Sequence, residues 1–243
     1  MWRNFALNDA ISRQRDVFLV DLRNHGESDH HASMTYEEMA RDVARFADSR
    51  GLENYTLIGH NLGAKTAMMT ATLFPQRVNG IICLDTAPAT TAEDKKQLTL
   101  ASLEQIKRLP VVGRTRKEAL DLIKAEFKDE GIANFIANNL VYSDADNHQT
   151  VEWSLNIDAI IANIDNIVGY PDSPSVGKYE GLAYFLNGAL SVRYADEVFT
   201  NAFPNARVAE VEGAGHYIHI DKGSTVLQLI GECLAEIEAN TGR

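Results

Sequence analysis

The chain has 243 residues, of which 45% are hydrophobic, and a formal net charge of −11. This size and composition allow one sizeable folded domain with a real core. The negative charge argues against binding to nucleic acid and to anionic membrane surfaces. The cysteines, Cys83 and Cys233, lack metal-ligand spacing and are expected to be buried thiols. No transmembrane segment and no signal peptide are expected.

The first fifth of the chain predicts a helix, a strand, a loop and a second helix. Apolar residues recur with a helical period over 2–12, and Asp16–Val20 is predicted to be a buried strand. A polar loop, Asp21–Ser28, follows. Thr35–Arg50 is predicted to be an amphipathic helix, whose first residue and Glu38 form a capping box.

The next stretch is an apolar strand that ends in Gly-x-x-x-Gly and runs directly into a helix. Tyr55–Ile58 is predicted to be the strand and Leu62–Leu73 the helix, with Gly59, Asn61 and Gly63 at the turn. This is the shape of the nucleophile elbow of α/β-hydrolases, where a tight turn excludes side chains at the glycines. The alternative is a helix start packed closely against a strand, without catalytic meaning.

The centre of an active elbow is Ser, Cys or Asp, and here it is Asn61. An amide has no ionisable nucleophilic atom, so no neighbouring base can activate it. The sequence therefore predicts the scaffold of a hydrolase and argues against hydrolysis.

The remaining chain predicts strands that alternate with helices around a helical insertion. The core elements are strands at Val78–Leu84, Leu182–Leu186 and Arg207–Val211, a helix near 194–202 and a closing helix at Ser224–Ala239. Alternation of this kind implies a mostly parallel sheet with helices on both faces.

The insertion is predicted to hold helices with no strand between them, near 94–109, 115–128, 130–141 and 154–168. It would be a lid over a site or a helical subdomain that only adds core. Pro171–Pro174 is predicted to be a linker. We therefore divide the chain into an N-terminal part of the core (1–88), a lid (89–170) and a C-terminal part of the core (171–243).

Three candidate site residues follow predicted core strands, namely Asn61, Asp85 and His216. Open α/β sheets place their sites at the carboxyl ends of strands. The chain order of nucleophile, acid and histidine is that of α/β-hydrolases. His216 would be the general base, in the glycine-rich loop Gly213–His219, and Asp85 would orient it.

The assignment of the acid leaves alternatives open. Asp85 could be only a cap or turn residue after its strand. The more usual position, around Asn187–Ser191, contains no carboxylate, and Asp158 in the insertion is the alternative acid.

The other histidines are not expected to be catalysts. His25, His60 and His219 are predicted to pack or to bond loops, and His30, His31 and His148 to be solvated. No two histidines pair with a carboxylate at ligand spacing, so neither a metal nor another cofactor is predicted.

These residues support a resemblance to a known family. The chain resembles, nearly end to end, the mitochondrial and bacterial esterase-like group that includes α/β-hydrolase domain-containing protein 11. The resemblance rests on the motifs at Asp21–Ser28, Gly59–Thr66, Leu84–Pro88, Trp153–Asp158 and Gly213–His219.

The resemblance implies a role for each candidate residue. Asn61 takes the nucleophile position, His216 the base, and Asp85 or Asp158 the acid. The Leu62 N–H would be one oxyanion donor.

The chain departs from this family in two respects. Asn61 replaces the serine, and the family begins upstream of Met1, so the chain is expected to be N-terminally truncated. The missing segment would include a second oxyanion donor and a strand between those at 17–20 and 56–59. We therefore expect that a protein partner or a separate N-terminal fragment fills this strand position, and that the free chain is not a stable monomer.

The leading hypothesis is a catalytically inactive α/β-hydrolase-like protein that serves as a structural or accessory subunit of a larger, mitochondrial assembly. The alternative is a serine-type carboxylic-ester hydrolase whose natural sequence has serine at position 61. A third hypothesis, in which Asn61 stands in for an Asp nucleophile, is disfavoured because Leu62 rather than Gly follows it. The location is mitochondrial by resemblance and otherwise cytoplasmic.

Overall fold

A computed structural model describes residues 2–143, 149–171 and 177–242. The chain forms two compact units. The first unit comprises Met1–Val20, Thr35–Thr90 and Gly169–Arg243, and the second comprises Asp21–Met34 and Thr91–Val168. His148 and most of the predicted linker Pro171–Pro174 lie outside the described residues.

The first elements in chain order are α1 (Trp2–Ala6), α2 (Asp9–Ser12), α3 (Tyr36–Ser49), β1 (Tyr55–His60), α4 (Leu62–Leu73) and β2 (Val78–Leu84). The insertion then contributes α5 (Glu93–Lys107), α6 (Arg116–Glu126), α7 (Glu130–Ala137), β3 (Leu140–Tyr142), β4 (Val151–Trp153), α8 (Ile157–Ala162) and α9 (Ile164–Val168). The chain ends with β5 (Leu182–Gly188), α10 (Asp196–Thr200), β6 (Ala206–Val211), α11 (Ile218–Asp221) and α12 (Gly223–Thr241).

The first unit is built on a parallel sheet with strand order β1-β2-β5-β6. Ile58 lies opposite Ile82, Ile82 opposite Tyr184, and Tyr184 opposite Arg207. The α/β fold with a mostly parallel sheet is thus confirmed. The carboxyl ends of these strands meet at one edge, where sites of open α/β sheets lie.

Both faces of the sheet are covered, which explains why its central strands lack polar alternation. On one face, Ile82 and Leu84 pack with side chains from α1, α2 and α12. On the other face, Ile81 and Cys83 pack with side chains from α4 and α10. Successive residues of β2 therefore enter two separate apolar cores, and all four are fully buried.

Local signals determine the ends of several helices. The Thr35 side chain accepts from the Glu38 N–H and the Glu38 carboxylate accepts from the Thr35 N–H, so the predicted capping box of α3 is confirmed. The predicted helix over 2–12 is instead two short helices, because Asn8 caps α2 by accepting from the Ala10 N–H.

The prediction of a buried strand at Asp16–Val20 is wrong. These residues form no strand, and the four apolar side chains Val17–Val20 are 38–54% exposed. Within the described residues, β1 pairs only with β2, and no strand pairs with Val17–Val20. A strand needs a partner for its N–H and C=O groups, and without one this apolar run forms no strand.

The second unit also differs from the prediction, which placed no strand in the insertion. β3 and β4 form an antiparallel pair with Leu140 opposite Trp153. They share an apolar core with α6 and α7 that includes Ile123, Ala133 and Val151. The expected lid function of the segment 89–170 stays a prediction.

Asparagine side chains attach the loop Asp21–Met34 to the helices of the second unit. The Asn163 Oδ1 accepts from the Met34 N–H at 3.0 Å, and its Nδ2 donates to the Ala32 carbonyl at 2.8 Å. Asn163 is buried, and both ends of its amide are satisfied by loop and helix backbone.

None of the helices in the described ranges is long and apolar enough to cross a membrane.

A lysine lies inside the first unit. Lys65 on α4 is 3% exposed, and its Nζ donates to the Gly169 carbonyl at 3.1 Å and lies 6.0 Å from the centre of the Tyr36 ring. Burial lowers the pKa of Lys65 from its usual value of 10.5 to about 8. The protonated form is therefore disfavoured in the folded state.

We expect Lys65→Met to stabilise the protein at about pH 7 by roughly 1–3 kcal/mol, because it removes a buried charge. The pKa of Lys65 is about 8 in the folded state and 10.5 in the unfolded state. Between these pH values the unfolded state holds the proton that the folded state has lost, so the stability of the wild-type protein rises with pH over that window. Urea unfolding at several pH values should show the advantage of the variant shrinking over that window. The exposed Lys178→Met is the control, and a constant difference at all pH values would contradict the assignment.

Candidate active site

The turn between β1 and α4 is as tight as the elbow motif predicts. A Cβ added to Gly59 would lie 2.4 Å from the Gly63 carbonyl carbon and 2.5 Å from the Ala64 nitrogen. Only glycine allows this approach, so the steric expectation is confirmed for Gly59. It is wrong for Gly63, because a Cβ there would meet nothing within 4 Å.

The strain of the turn falls on its central residue. Asn61 has φ 49° and ψ −114°, which is rare for a residue with a side chain. The Asn61 carbonyl accepts from the Lys65 N–H at 3.0 Å, so α4 begins at once. Leu62 is its first residue, and its N–H therefore has no acceptor within the helix.

The structure brings Asn61, His216 and Asp85 into one hydrogen-bonded chain. His216 Nδ1 lies 2.7 Å from Asp85 Oδ2, and His216 Nε2 lies 3.1 Å from Asn61 Nδ2. The His216 side chain is 41% exposed and that of Asp85 is 4% exposed. The three residues follow β1, β2 and β6, whose carboxyl ends share one sheet edge.

One tautomer of a neutral His216 imidazole is compatible with both contacts. Nδ1 carries a proton that it donates to the Asp85 carboxylate, which is acceptor-only when ionised. Nε2 then has a lone pair, and the Asn61 amide N–H donates to it. The imidazole is thus held between an acceptor and a donor, with the Nε2 lone pair facing the elbow.

Asp85 is fixed by two further donors that the sequence analysis missed. The Gly188 N–H donates to Oδ1 at 2.7 Å, and the Ser191 hydroxyl donates to Oδ2 at 2.6 Å. Gly188 is the last residue of β5, and Ser191 lies in the loop that follows it. No local sequence pattern marks Gly188 and Ser191 as partners of Asp85, because these contacts depend on the pairing of β2 with β5.

Two of the histidines predicted to pack or to bond loops, His60 and His219, lie beside His216. His60 Nε2–H donates to the His216 backbone carbonyl at 2.9 Å, and the two ring centres are 4.7 Å apart. Burial, and secondly the neighbouring His216, lower the pKa of His60 to about 4. Trp2 stacks on His219 with ring centres 5.2 Å apart. His60 is therefore neutral at physiological pH and positions the loop that carries His216.

The alternative acid, Asp158, lies on α8 in the second unit. Its carboxylate pairs with Lys107 Nζ at 2.6 Å and is 77% exposed. Asp85 is the carboxylate that contacts His216.

In the described part of the chain, no group of three His, Cys, Asp or Glu side chains is arranged to hold a metal ion.

A parallel sheet, a strained strand-to-helix turn, and an acid and a histidine after later strands together define the α/β-hydrolase class. Residues 1–134 match the family described as alpha/beta hydrolase fold. The chain therefore belongs to the α/β-hydrolase family.

Similar proteins include a lipase and esterases. The chain is 31% identical over 222 residues to the sn-1-specific diacylglycerol lipase ABHD11 of Xenopus laevis, covering 89% of this chain and 69% of the lipase. It is 27% identical over 224 residues to esterase YbfF of Escherichia coli, covering 90% and 83%. The solved structure of a marine microorganism esterase superposes with a TM-score of 0.77 at 30% identity, covering 87% of this chain and 82% of that one.

The two elbow glycines should respond differently to alanine. Gly59→Ala is expected to cost about 3 kcal/mol or more in the free energy of unfolding, because its Cβ would overlap the backbone of α4. Gly63→Ala is expected to be neutral or to stabilise by up to about 1 kcal/mol, since it lies in a helix with open space around it. Urea unfolding of both variants checks this, and equal losses would show that both positions are sterically closed.

Proposed function

We propose that this chain is a catalytically inactive member of the α/β-hydrolase family that serves as a structural or accessory subunit of a larger assembly. The observation that carries the proposal is the amide of Asn61 at the centre of the elbow. In well-studied hydrolases, loss of the nucleophile costs about a millionfold in kcat. The base His216 is intact, but it faces an amide N–H rather than a hydroxyl or thiol that it could activate.

The accessory role is supported by the free edge of β1 in the first unit. Among the described residues β1 has a neighbour on one edge only, and Val17–Val20 are apolar and exposed. Edges of this kind pair readily with a strand from another chain. We propose that a partner polypeptide supplies such a strand.

A mitochondrial location is part of this proposal only, because the relatives come from animals and from bacteria.

We expect no esterase activity from the purified protein. p-Nitrophenyl acetate and butyrate should be hydrolysed at the rate of a buffer blank, and a fluorophosphonate probe should not label the chain. His216→Ala is the matched control, because background hydrolysis by a contaminant would be the same in both proteins. Turnover that His216→Ala abolishes, or labelling at position 61, would refute the proposal.

A second candidate function is carboxylic-ester hydrolysis by a natural chain with serine at position 61. The observation that favours it is the intact pair of His216 and Asp85, at 2.7 Å and with Asp85 held by two further donors. A base and its orienting acid in hydrogen-bonded contact are what an activated serine needs.

The variant Asn61→Ser separates the two candidates. Under the leading proposal it stays far below the enzyme median kcat of about 10 s⁻¹, because the new hydroxyl supplies a nucleophile but adds no oxyanion donor. Under the second candidate it gains p-nitrophenyl ester turnover that the double variant Asn61→Ser/His216→Ala lacks. A kcat near the median would decide for the second candidate.

A further inference from the structure

We propose that the outer edge of β6 binds an extended segment of a basic partner protein, and that an arginine or lysine side chain of this segment enters a cavity between the sheet and α12. β6 is the last strand of the sheet and lies at the edge opposite β1. The site is therefore separate from the β1 edge to which the proposed function assigns a partner. It does not depend on whether the chain hydrolyses esters.

The backbone of β6 directs alternate hydrogen-bonding groups away from the sheet. The Ala189 N–H donates to the Val211 carbonyl at 3.1 Å, so every second residue of β6 counted back from Val211 bonds to β5. The N–H and C=O groups of Val208 and Glu210 therefore point outward, and in the described part of the chain no strand pairs with them. Residues 207–210 are all exposed, Val208 by 41%. An added strand could pair with these groups directly.

A cavity of about 230 Å³ lies beside this edge. It is lined by Leu186 from β5, by Ala209 from β6 and by Leu229 and Glu236 from α12, among others. Small-molecule sites usually measure about 300–1,000 Å³, so this cavity fits one side chain better than a whole ligand. A strand paired with β6 would direct every second side chain to the α12 face of the sheet, where the cavity lies.

The charges around the cavity favour a cation. Arg207 forms an ion pair with Glu236, and its guanidinium carbon lies 5.8 Å from the centre of the Tyr184 ring. Glu232 also lines the cavity, and its carboxylate accepts from the Gln228 amide at 2.9 Å. Among the described residues no cation pairs with Glu232, so one negative charge is left over. A side chain with an apolar stem and a cationic head fits this surface.

The charge of the whole chain acts in the same direction. A net charge of −11 attracts a basic segment from a distance, before any contact forms. The partner is therefore expected to carry arginine or lysine between β-branched residues, since the latter favour the extended conformation that pairing with β6 requires.

A second copy of this chain fits the edge less well. Two β6 strands would pair antiparallel about a two-fold axis perpendicular to the sheet. That axis places both α12 helices on the same face and brings Glu232 and Glu236 of one copy toward those of the other. It also joins two chains that each carry a net charge of −11. A basic partner avoids both repulsions.

Binding of a synthetic peptide to the whole chain tests the proposal. The probe is the capped heptapeptide Ser-Val-Thr-Arg-Thr-Val-Ser, whose valines and arginine face one side when it is extended. The control peptide has glutamate in place of arginine. By fluorescence anisotropy we expect saturable binding of the arginine peptide, and binding of the glutamate peptide that is weaker by about tenfold or more.

Variants of the chain assign the binding to β6 and α12. Glu232→Lys should reverse the preference, so that the glutamate peptide binds more tightly than the arginine peptide. Glu53→Lys makes the same charge change just before β1, at the opposite edge, and should leave the preference as it is. Val208→Pro removes an outward N–H and should weaken the arginine peptide by about tenfold, whereas Val208→Thr should not.

Hydrogen exchange followed by NMR locates the bound peptide. The amide protons of Val208 and Glu210 should exchange more slowly when the arginine peptide is bound. Slower exchange at Ile58 in β1 instead, the absence of saturable binding, or an unchanged preference in Glu232→Lys would overturn the proposal. Self-association of the chain that Val208→Pro abolishes would also overturn it, because a second copy would then occupy the edge.

Discussion

The contact between the end of β1 and the first turn of α4 positions the candidate site. Gly59 brings the strand so close to the Gly63 backbone that no Cβ fits between them. Asn61, the residue at the centre of this turn, adopts φ 49°. That conformation raises the side chain above the sheet edge, where it meets His216.

The rest of the site depends on the parallel register of the sheet. Because β2, β5 and β6 are neighbours in that order, the loops after them meet above one edge. Asp85 extends from the first loop, Ser191 from the second and His216 from the third, and the carboxylate bonds to both of the others. The separation of these residues along the chain is large, but the sheet reduces it to hydrogen-bond distances.

Much of the fold could be predicted because its signals are local. The bounds of α4 and β2 agree with the sequence prediction. The elbow motif, and an apolar run bounded by turn residues, can be recognised without knowing which distant segments they contact. Asp16–Val20 has the same apolar signal, but a strand also needs a partner, which its own residues do not specify. The β3 and β4 strands have three residues each, too short for any period to be visible. The contact of Ser191 with Asp85 depends on the pairing of distant strands, so no local pattern could reveal it.

The pair of Asp85 and His216 needs no catalytic explanation for its geometry. The Asp85 side chain is 4% exposed, and a buried carboxylate is stable only when donors surround it. Gly188, Ser191 and His216 provide those donors. Removing His216 would leave the carboxylate with one donor fewer, at a cost of about 1–3 kcal/mol. The same hydrogen bond that would orient a base in an enzyme therefore stabilises the edge of this sheet, whether or not a nucleophile is present.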